Sequence, residues 1–547
     1  MGLGILESRS RLSKVPGTVA LADIDEQSID NAAILKRAKG SDEKIILVPQ
    51  PSDDPNDPLN WPLWKKVTIV AIMVFGACLN AATIGPLLSA SIVVISEDLN
   101  RSMTETTLLT GYNLAIAGAS CPLISAFATK VGKRPVLLTS SMASLIGSII
   151  GSVSQTYDTL LVARIIQGFS IAAYESITFT LIGDLFFVHQ RGFWINIISF
   201  TLTAVSNLSS IIAGPITYNL GWHYLFYILV ACSGLQVLLL FFFAPETCYK
   251  RENSLSQYVL GSDGNPETKG TETIEHIEDS SDSVSQHPSP SATPLKSFRQ
   301  ELAVYTGSYS NENILKLLLG PFLCLTNLVA LWNVVMTGVV TSTYVAISYV
   351  VAQIFSAAPY LLSTAQIGYL SVGPFLGGFI GCTLVARSSD PLAVWMAKHN
   401  NGTYEPEFRI PLIVFAFIGT AGLFGFGATA AAGDSIYLVD FMWGLTLAGI
   451  SFAVGSCSAH AIDAFGSMRN EIFVANVMFK NFLFFGYSYF INDWILEDGP
   501  ARPFYVFGGI NAGLIVTALP VYLFGKRYRS MWSQHNLMEM MKAKLFG

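Results

Sequence analysis

The sequence predicts an all-α membrane protein of twelve transmembrane helices arranged as two six-helix halves. Three observations carry that expectation. Hydrophobic residues make up 51% of the 547-residue chain and charged residues only 13%, well below the ~25% charged share of a soluble domain, and the mean hydropathy is +0.48. Twelve stretches approach the ~20 apolar residues a helix needs to cross the hydrocarbon core. One long polar segment falls mid-chain and leaves six stretches on each side.

Residues 1–66 read as a cytosolic N-terminal tail, mostly disordered, mixing Pro, Asp, Ser and Lys and showing no secretory signal. The first half, 67–247, holds six spans expected to begin near Val67, Glu105, Val136, Thr159, Gly192 and His223, the sixth closing on "FFFAPET". Residues 248–315 are a cytosolic linker. Its run "GSDGNPETKGTETIEHIEDSSDSVSQHPSPSATP" is too polar to bury a core and is expected to be disordered. The second half, 316–526, holds spans expected to begin near Lys316, Ser363, Arg409, Ile436, Asn470 and Pro503. Leu317 to Phe355 is apolar for about 39 residues, too long for one straight span. It reads as a long seventh helix followed by an external half-turn, "AQIFSAAPY". Residues 527–547 form a cytosolic C-terminal tail.

Lysine and arginine in short loops orient the chain. Lys130, Lys133 and Arg134, then Arg191, then Arg387, Lys398 and Arg409, then Arg469, then Lys526, Arg527 and Arg529 all fall on one side, together with both termini. The opposite loops offer Arg101 and Arg502. Both termini are therefore expected in the cytosol, with the plasma membrane as the site. Asn100-Arg101-Ser102 is a glycosylation sequon in an external loop. Six of the seven cysteines lie in apolar stretches and no CxxC occurs, so neither a disulfide nor a metal or other cofactor is expected. There is no Walker A sequence, HExxH or placed nucleophile–base pair, which argues against an enzyme and against an ATP-driven pump. Nothing marks a nucleic-acid partner. The expected partners are lipid, protons and a small organic solute.

Charges inside spans are costly and must face protein or water. Arg164 and Glu175 lie in the fourth span. Eleven residues of helix turn through about 1,100°, which puts both on one stripe about 16 Å apart along the axis. Gln167 lies on the same side. Lys480 stands ~15 Å into the eleventh span, near the bilayer midplane, with Asn476 and Tyr487 on its stripe. A mid-membrane lysine needs a partner or water. Asn80 and Asn327 mark the first and seventh spans. Such amides more often bond across helices than bind ligands. Asp440, near the outer end of span ten, reads as a solvated acid, and His460 and Asp463 as loop-side. Gly132-Lys133-Arg134 forms a tight basic loop, either a hinge contact or a plain positive-inside anchor. Gly214-Pro215 reads either as a kink that lets span five approach span eight or eleven, or as a simple helix irregularity.

Several motifs carry a resemblance. "SAFATKVGKRP" (Ser125–Pro135) is similar to the loop between spans two and three of the major facilitator superfamily. Ser125 stands where glycine is usual and Thr129 where the acid is usual. "RIIQG" (Arg164–Gly168) and "AGPITYN" (Ala213–Asn219) resemble fourth- and fifth-span motifs of its drug:proton antiporters. "DPLNWPLWKK", "GDLFFVHQRG", "APET" and "NNGTYEPEFRIP" resemble a fungal twelve-span branch of multidrug and secondary-metabolite exporters and polyamine or cation carriers. The resemblance implies the major facilitator fold, a monomer, and proton-coupled transport of a small organic solute by rocking of the two halves. It places Glu175, Arg164, Gln167, Lys480, Asn476, Asn80 and Asn327 along the proton and solute pathway. Export of drugs or self-made metabolites is the leading expectation. Uptake of a polyamine or other organic cation, and a non-transporting receptor on the same fold, are the alternatives.

Overall fold

The computed structural model describes residues 3–7, 15–20, 51–249 apart from 53, and 296–541 apart from 311, 467 and 539. Among these, eleven helices are long and apolar enough to cross a membrane. In the first half they are span 1 (Leu63–Thr83), span 2 (Met103–Val131), span 3 (Lys133–Ser152), span 4 (Tyr157–Leu185), span 5 (Ile197–Leu220) and span 6 (His223–Phe243). In the second they are span 7 (Leu328–Ser356), span 8 (Thr364–His399), span 9 (Pro406–Ala432), span 10 (Ile436–Ala464) and span 12 (Ala501–Gln534). Arg469–Asp498, 30 residues, completes the set as span 11. It is less apolar than the others because it carries Glu471, Asn476, Lys480, Asn481, Asn492 and Asp493. Their polar groups are accommodated because span 11 packs against spans 2, 4, 7 and 12.

Two apolar cores correspond to the two halves. The halves meet along span 2 against span 11, and along span 5 against span 8. Small residues make both contacts close, as expected where lipid gives no hydrophobic drive for helix association. A Cβ placed on Gly111 of span 2 would sit 2.0 Å from Ser488 Oγ, and one on Gly214 of span 5 would sit 2.9 Å from the Cα of Gly368.

The seventh span departs from expectation. It does not begin near Lys316. The helix Ile314–Leu323 ends first, a tight turn follows, and Asn327 starts a new 29-residue helix by accepting hydrogen bonds from the amides of Val329 and Ala330. The cap restarts the chain at a point where apolar character continues unbroken, which is why hydropathy does not show the boundary. The short helix Ile314–Leu323 lies against spans 2 and 11. Span 7 also runs through most of the expected external half-turn, to Ser356.

The described pieces of the tails are anchored to the bundle, while 1–2, 8–14 and 21–50 of the expected disordered N-terminal tail lie outside the described residues. At the end of the bundle that carries both termini, here the terminal end, Val19–Ala20 pairs antiparallel with Thr403–Tyr404, and Leu6 donates its amide to Leu523 O. The stretch of the expected linker after 295 is bound to the first half. Lys65 pairs with Glu301 at 2.6 Å, and Tyr309 donates its amide to Lys130 O. Specific polar anchors fix these pieces, and composition does not report anchors. The rest of the expected disordered linker, 250–295, lies outside the described residues.

Candidate functional site

Glu175 of span 4 reaches across the interface between the halves. Its Oε1 lies 2.7 Å from Lys480 Nζ, and its Oε2 accepts from Asn481 Nδ2 at 3.0 Å. Two adjacent residues of span 11, about 100° apart around the helix, thus grip the two oxygens of one carboxylate. Gly118 of span 2 makes room. A Cβ there would press on Asn481 Cβ and Met478 O, both at 3.2 Å. The side chains of Lys480 and Glu175 keep 20% and 12% exposure, so the pair borders a solvent-sized space and is not sealed. Aromatic rings bracket it along the helices. On the terminal side Phe179 stacks on Phe473 at 6.1 Å. On the opposite side Tyr112, Phe485 and Tyr489 cluster. A carboxylate so placed can hold a proton or a cation, and it can exchange one for the other only by releasing Lys480.

The remaining stripe residues fall into different settings. Arg164 is fully buried and, among the described residues, has no carboxylate partner. Its guanidinium donates to Gln167 Oε1 at 3.1 Å and Gly85 O at 3.3 Å. Gln167 passes the chain to Ser148 Oγ, and Asn113 donates to Arg164 O. Arg164 therefore ties the end of span 1 to spans 2, 3 and 4 and lies apart from the Glu175 pair. Asn80 donates to Gly76 O one turn back, leaving its buried Oδ1 without a partner. Asn476 Oδ1 accepts from Thr337 Oγ1 at 2.8 Å, and Tyr487 takes a bond from Ser342, so both face span 7. Asn327 is spent on capping.

The basic loop is built for anchoring. Gly132 has φ +110°, a conformation that glycine adopts without cost. The amides of Lys133 and Arg134, the first of span 3, donate to the two carboxylate oxygens of Glu246 at 3.1 and 3.0 Å, a charge-assisted cap at a helix N-terminus. Lys133 Nζ meets Asp184 at 2.5 Å. Arg134 donates to Phe241 O and Glu301 O. The acid missing at Thr129 is therefore met by Asp184 and Glu246, both within the first half. Gly214 of span 5 lies against Thr364 O and Gly368 of span 8, with Pro215 inside the same helix. Asn100 is exposed in a turn at the end away from the termini.

Two expectations are corrected. Asp440 is not a freely solvated acid but a half-buried one. Its Oδ1 is buried without a hydrogen-bond partner, in space left by Gly373 of span 8. His460 is not loop-side but 1% exposed, because the helix runs on past it to Ala464.

Sequence reading also missed three participants. Asn481 could have been found as the neighbour of Lys480. Glu246 sits in the quoted "APET", where the motif named it without a role. The terminal-end cluster of the second half was visible only in parts, with Tyr404, Glu405, Glu407 and Arg409 inside the quoted "NNGTYEPEFRIP" and Asp463 and Arg529 named singly, and its pairing gave no signal. There Arg529 lies between Glu405 and Glu407 at 3.0 and 2.7 Å, and Arg409 pairs with Asp463 at 3.1 Å. Tyr404 donates to the same Asp463, and burial with that carboxylate beside it pushes the phenol's pKa up.

Comparison with known proteins agrees with this architecture. Protein HOL1 of Saccharomyces cerevisiae is 24% identical over 96% of this chain and 97% of that protein. MFS transporter cpaT of Aspergillus oryzae is 23% identical over 87% and 90%. Efflux pump dotC of Dothistroma septosporum is 29% identical over a shorter region, 33% of this chain and 32% of that protein. Among solved structures, the xylose transporter XylE from E. coli, in a partially occluded inward-open conformation, superposes with a TM-score of 0.57 at 12% identity over 83% of this chain and 97% of that one. That likeness shows the fold. The sequence model described as Major Facilitator Superfamily matches residues 70–485, and the chain belongs to that superfamily of membrane transporters.

Proposed function

We propose that the chain is a proton-coupled secondary transporter that exports small organic solutes of the drug or secondary-metabolite kind, as a monomer, across the plasma membrane with its terminal end in the cytosol. The observation that carries this reading is the Glu175–Lys480 pair. It spans the boundary between the halves, beside space, within an apolar bundle. Protonation of Glu175 removes the charge that holds Lys480, so a proton bound there weakens a contact between the two moving bodies. Rocking about a midplane site is the mechanism this fold supports. The likeness to a named efflux pump supports the outward direction, and the lysine and arginine excess at the terminal end supports the orientation.

A second reading, uptake of an organic cation by proton symport, has one observation in its favour. The carboxylate already accepts an ammonium group, that of Lys480, and a solute ammonium can take the same place. Purified protein in sealed vesicles with an imposed pH gradient and a fluorescent organic cation such as ethidium tests both. Proton exchange predicts movement of dye against the proton flow, and symport predicts movement with it. Flux that ignores the pH gradient in both orientations would remove the coupling.

A further inference from the structure

His460 lies inside the second half with one ring nitrogen facing Asn333. The amide Nδ2 of Asn333 donates to Val329 O at 3.0 Å and lies 3.4 Å from His460 Nδ1. An amide NH2 group can only donate, so Nδ1 is the acceptor and Nε2 carries the hydrogen. That Nε2 has no partner, and neither does the Oδ1 of Asn333. Both residues are almost fully buried, at 1% and 2% exposure. An unsatisfied buried donor and an unsatisfied buried acceptor are each what an internal water satisfies, and because Nε2 lies across the ring from the contact with Asn333 the two take separate waters. Trp332 of span 7 and Phe465 pack against the imidazole, and the charges that act on it are those of Arg529 of span 12 and Asp463 on its own helix.

These groups fall on a polar line. Lys480 and Asn476 share a face of span 11. The Thr337 hydroxyl lies 2.8 Å from Asn476 Oδ1 and 2.7 Å from Asn333 O. Asn333 meets His460, and one turn beyond His460 stands Asp463 with Arg409 and Tyr404. The line starts at the Glu175 pair and ends at the terminal end, through the interior of the second half.

We propose that His460 is a second proton-binding residue, reached from the terminal end by internal water and placed to exchange protons along this line with the Glu175 pair. A proton delivered by the water on Asn333 Oδ1 bonds to Nδ1 as the long contact to Asn333 opens, and the ring becomes an imidazolium whose charge Asp463 favours and Arg529 opposes. Loss of the same proton to water restores the neutral ring. The proposal rests on the proton-coupled reading above, yet its first test needs no solute.

Hydrogen–deuterium exchange at histidine C2, followed residue by residue by mass spectrometry on the full-length protein in detergent, reports water access and protonation together. His460 is expected to exchange with a sigmoidal dependence on pH despite its burial. Asn333→Leu, which removes the seat of the water, is expected to slow that exchange several-fold while leaving exposed His399 unchanged. A His460 that does not exchange, or that exchanges equally in the Asn333 variant, overturns the proposal. The second test is the pH profile of ethidium flux. His460→Gln is expected to shift it, whereas a purely structural role lowers flux equally at every pH. Wild-type flux without any pH dependence would count against the coupling itself, and the exchange measurement still decides on His460.

Discussion

Lys480 Nζ lies 2.7 Å from Glu175 Oε1 and joins span 11 of the second half to span 4 of the first. The two residues are 305 positions apart in sequence. A buried ion pair is weak evidence for stability, because desolvation offsets most of the attraction. Its value here is positional, since any change of charge on either partner is felt where the halves touch.

Glu175→Gln keeps size and hydrogen bonding and removes the charge change. It leaves the Lys480 ammonium without its anion. For fully dry pairs such a loss costs roughly 3–5 kcal/mol, and the partial exposure of this pair places the expected destabilisation lower, at about 1–3 kcal/mol. Membrane arrival is expected to stay near normal, gradient-driven flux to be abolished, and solute exchange without a gradient to survive. Normal expression together with undiminished uphill flux and an unchanged pH profile would reduce Glu175 to a packing partner.

The charge swap Glu175→Lys with Lys480→Glu restores an attractive pair in the reverse sense. Each single change places like charges in contact and is expected to lower thermal stability by more than the double change does. The coupling energy from the four proteins, read by thermal unfolding in detergent, is expected at about 1–3 kcal/mol for residues in direct contact. Additive effects would mean that the pair does not persist in solution. If the pair persists, the double variant regains stability, but transport recovers only if the position of the acid is immaterial.

The sequence showed the individual charges but not their pairing. Helical period places Glu175 and Arg164 on one stripe, and depth places Lys480 at midplane. Neither says which helices face each other, and that is decided by close approaches such as Gly118 against Asn481. Asn481 escaped notice because it lies off the Lys480–Asn476 stripe, although a carboxylate has two oxygens to satisfy. Spans were legible from apolar length, whereas the start of span 7 was not, because Asn327 makes a cap inside an apolar run. His460 and Asp440 looked peripheral by counting from helix ends, and the packing of neighbouring spans buries His460 and one carboxylate oxygen of Asp440.

Gly214 and Gly368 close the interface at the end away from the termini. Gly214→Val places new carbons where a Cβ already falls 2.7 Å from Thr364 O. Overpacking of this kind costs about 1–3 kcal/mol. It acts only in the state in which spans 5 and 8 touch, so it is expected to favour the alternative, opened at that end. A cysteine reagent directed at Ser371→Cys is expected to react faster in the Gly214→Val background. Equal reactivity would show that this contact does not gate access.

Glu246 caps span 3 with two charge-assisted bonds and fixes the loop that carries Lys133 and Arg134. Glu246→Ala takes the carboxylate acceptor from four amides, those of Lys133, Arg134, Thr247 and Cys248, and removes an anion from a helix N-terminus. Loss of a cap costs about 0.5–2 kcal/mol, and the additional charge contacts place this case at the upper end. Glu246→Gln retains one good acceptor and is expected to recover part of the loss. Asp184→Asn, which weakens the bond to Lys133, is expected to be milder. The order Ala, Gln, Asp184→Asn in melting temperature is the measurement, and a reversed order would place the weight of the loop on Lys133 instead.

Orientation has a direct chemical readout at Asn100. The residue is exposed in a turn at the end away from the termini, within an Asn-Arg-Ser sequon. Lysine and arginine crowd the other end, which by the positive-inside rule faces the cytosol, so Asn100 is expected to face the lumen during synthesis and the exterior afterwards. A glycosidase is expected to increase the gel mobility of the wild type and to leave Asn100→Gln unchanged. An epitope tag at Ser285, in the stretch between the halves, is expected to be reached by antibody only after permeabilisation. A tag reached in intact cells would invert the chain. It would place the Asp463–Arg409 cluster outside, and export driven by the inward proton gradient would then have to be rewritten as uptake.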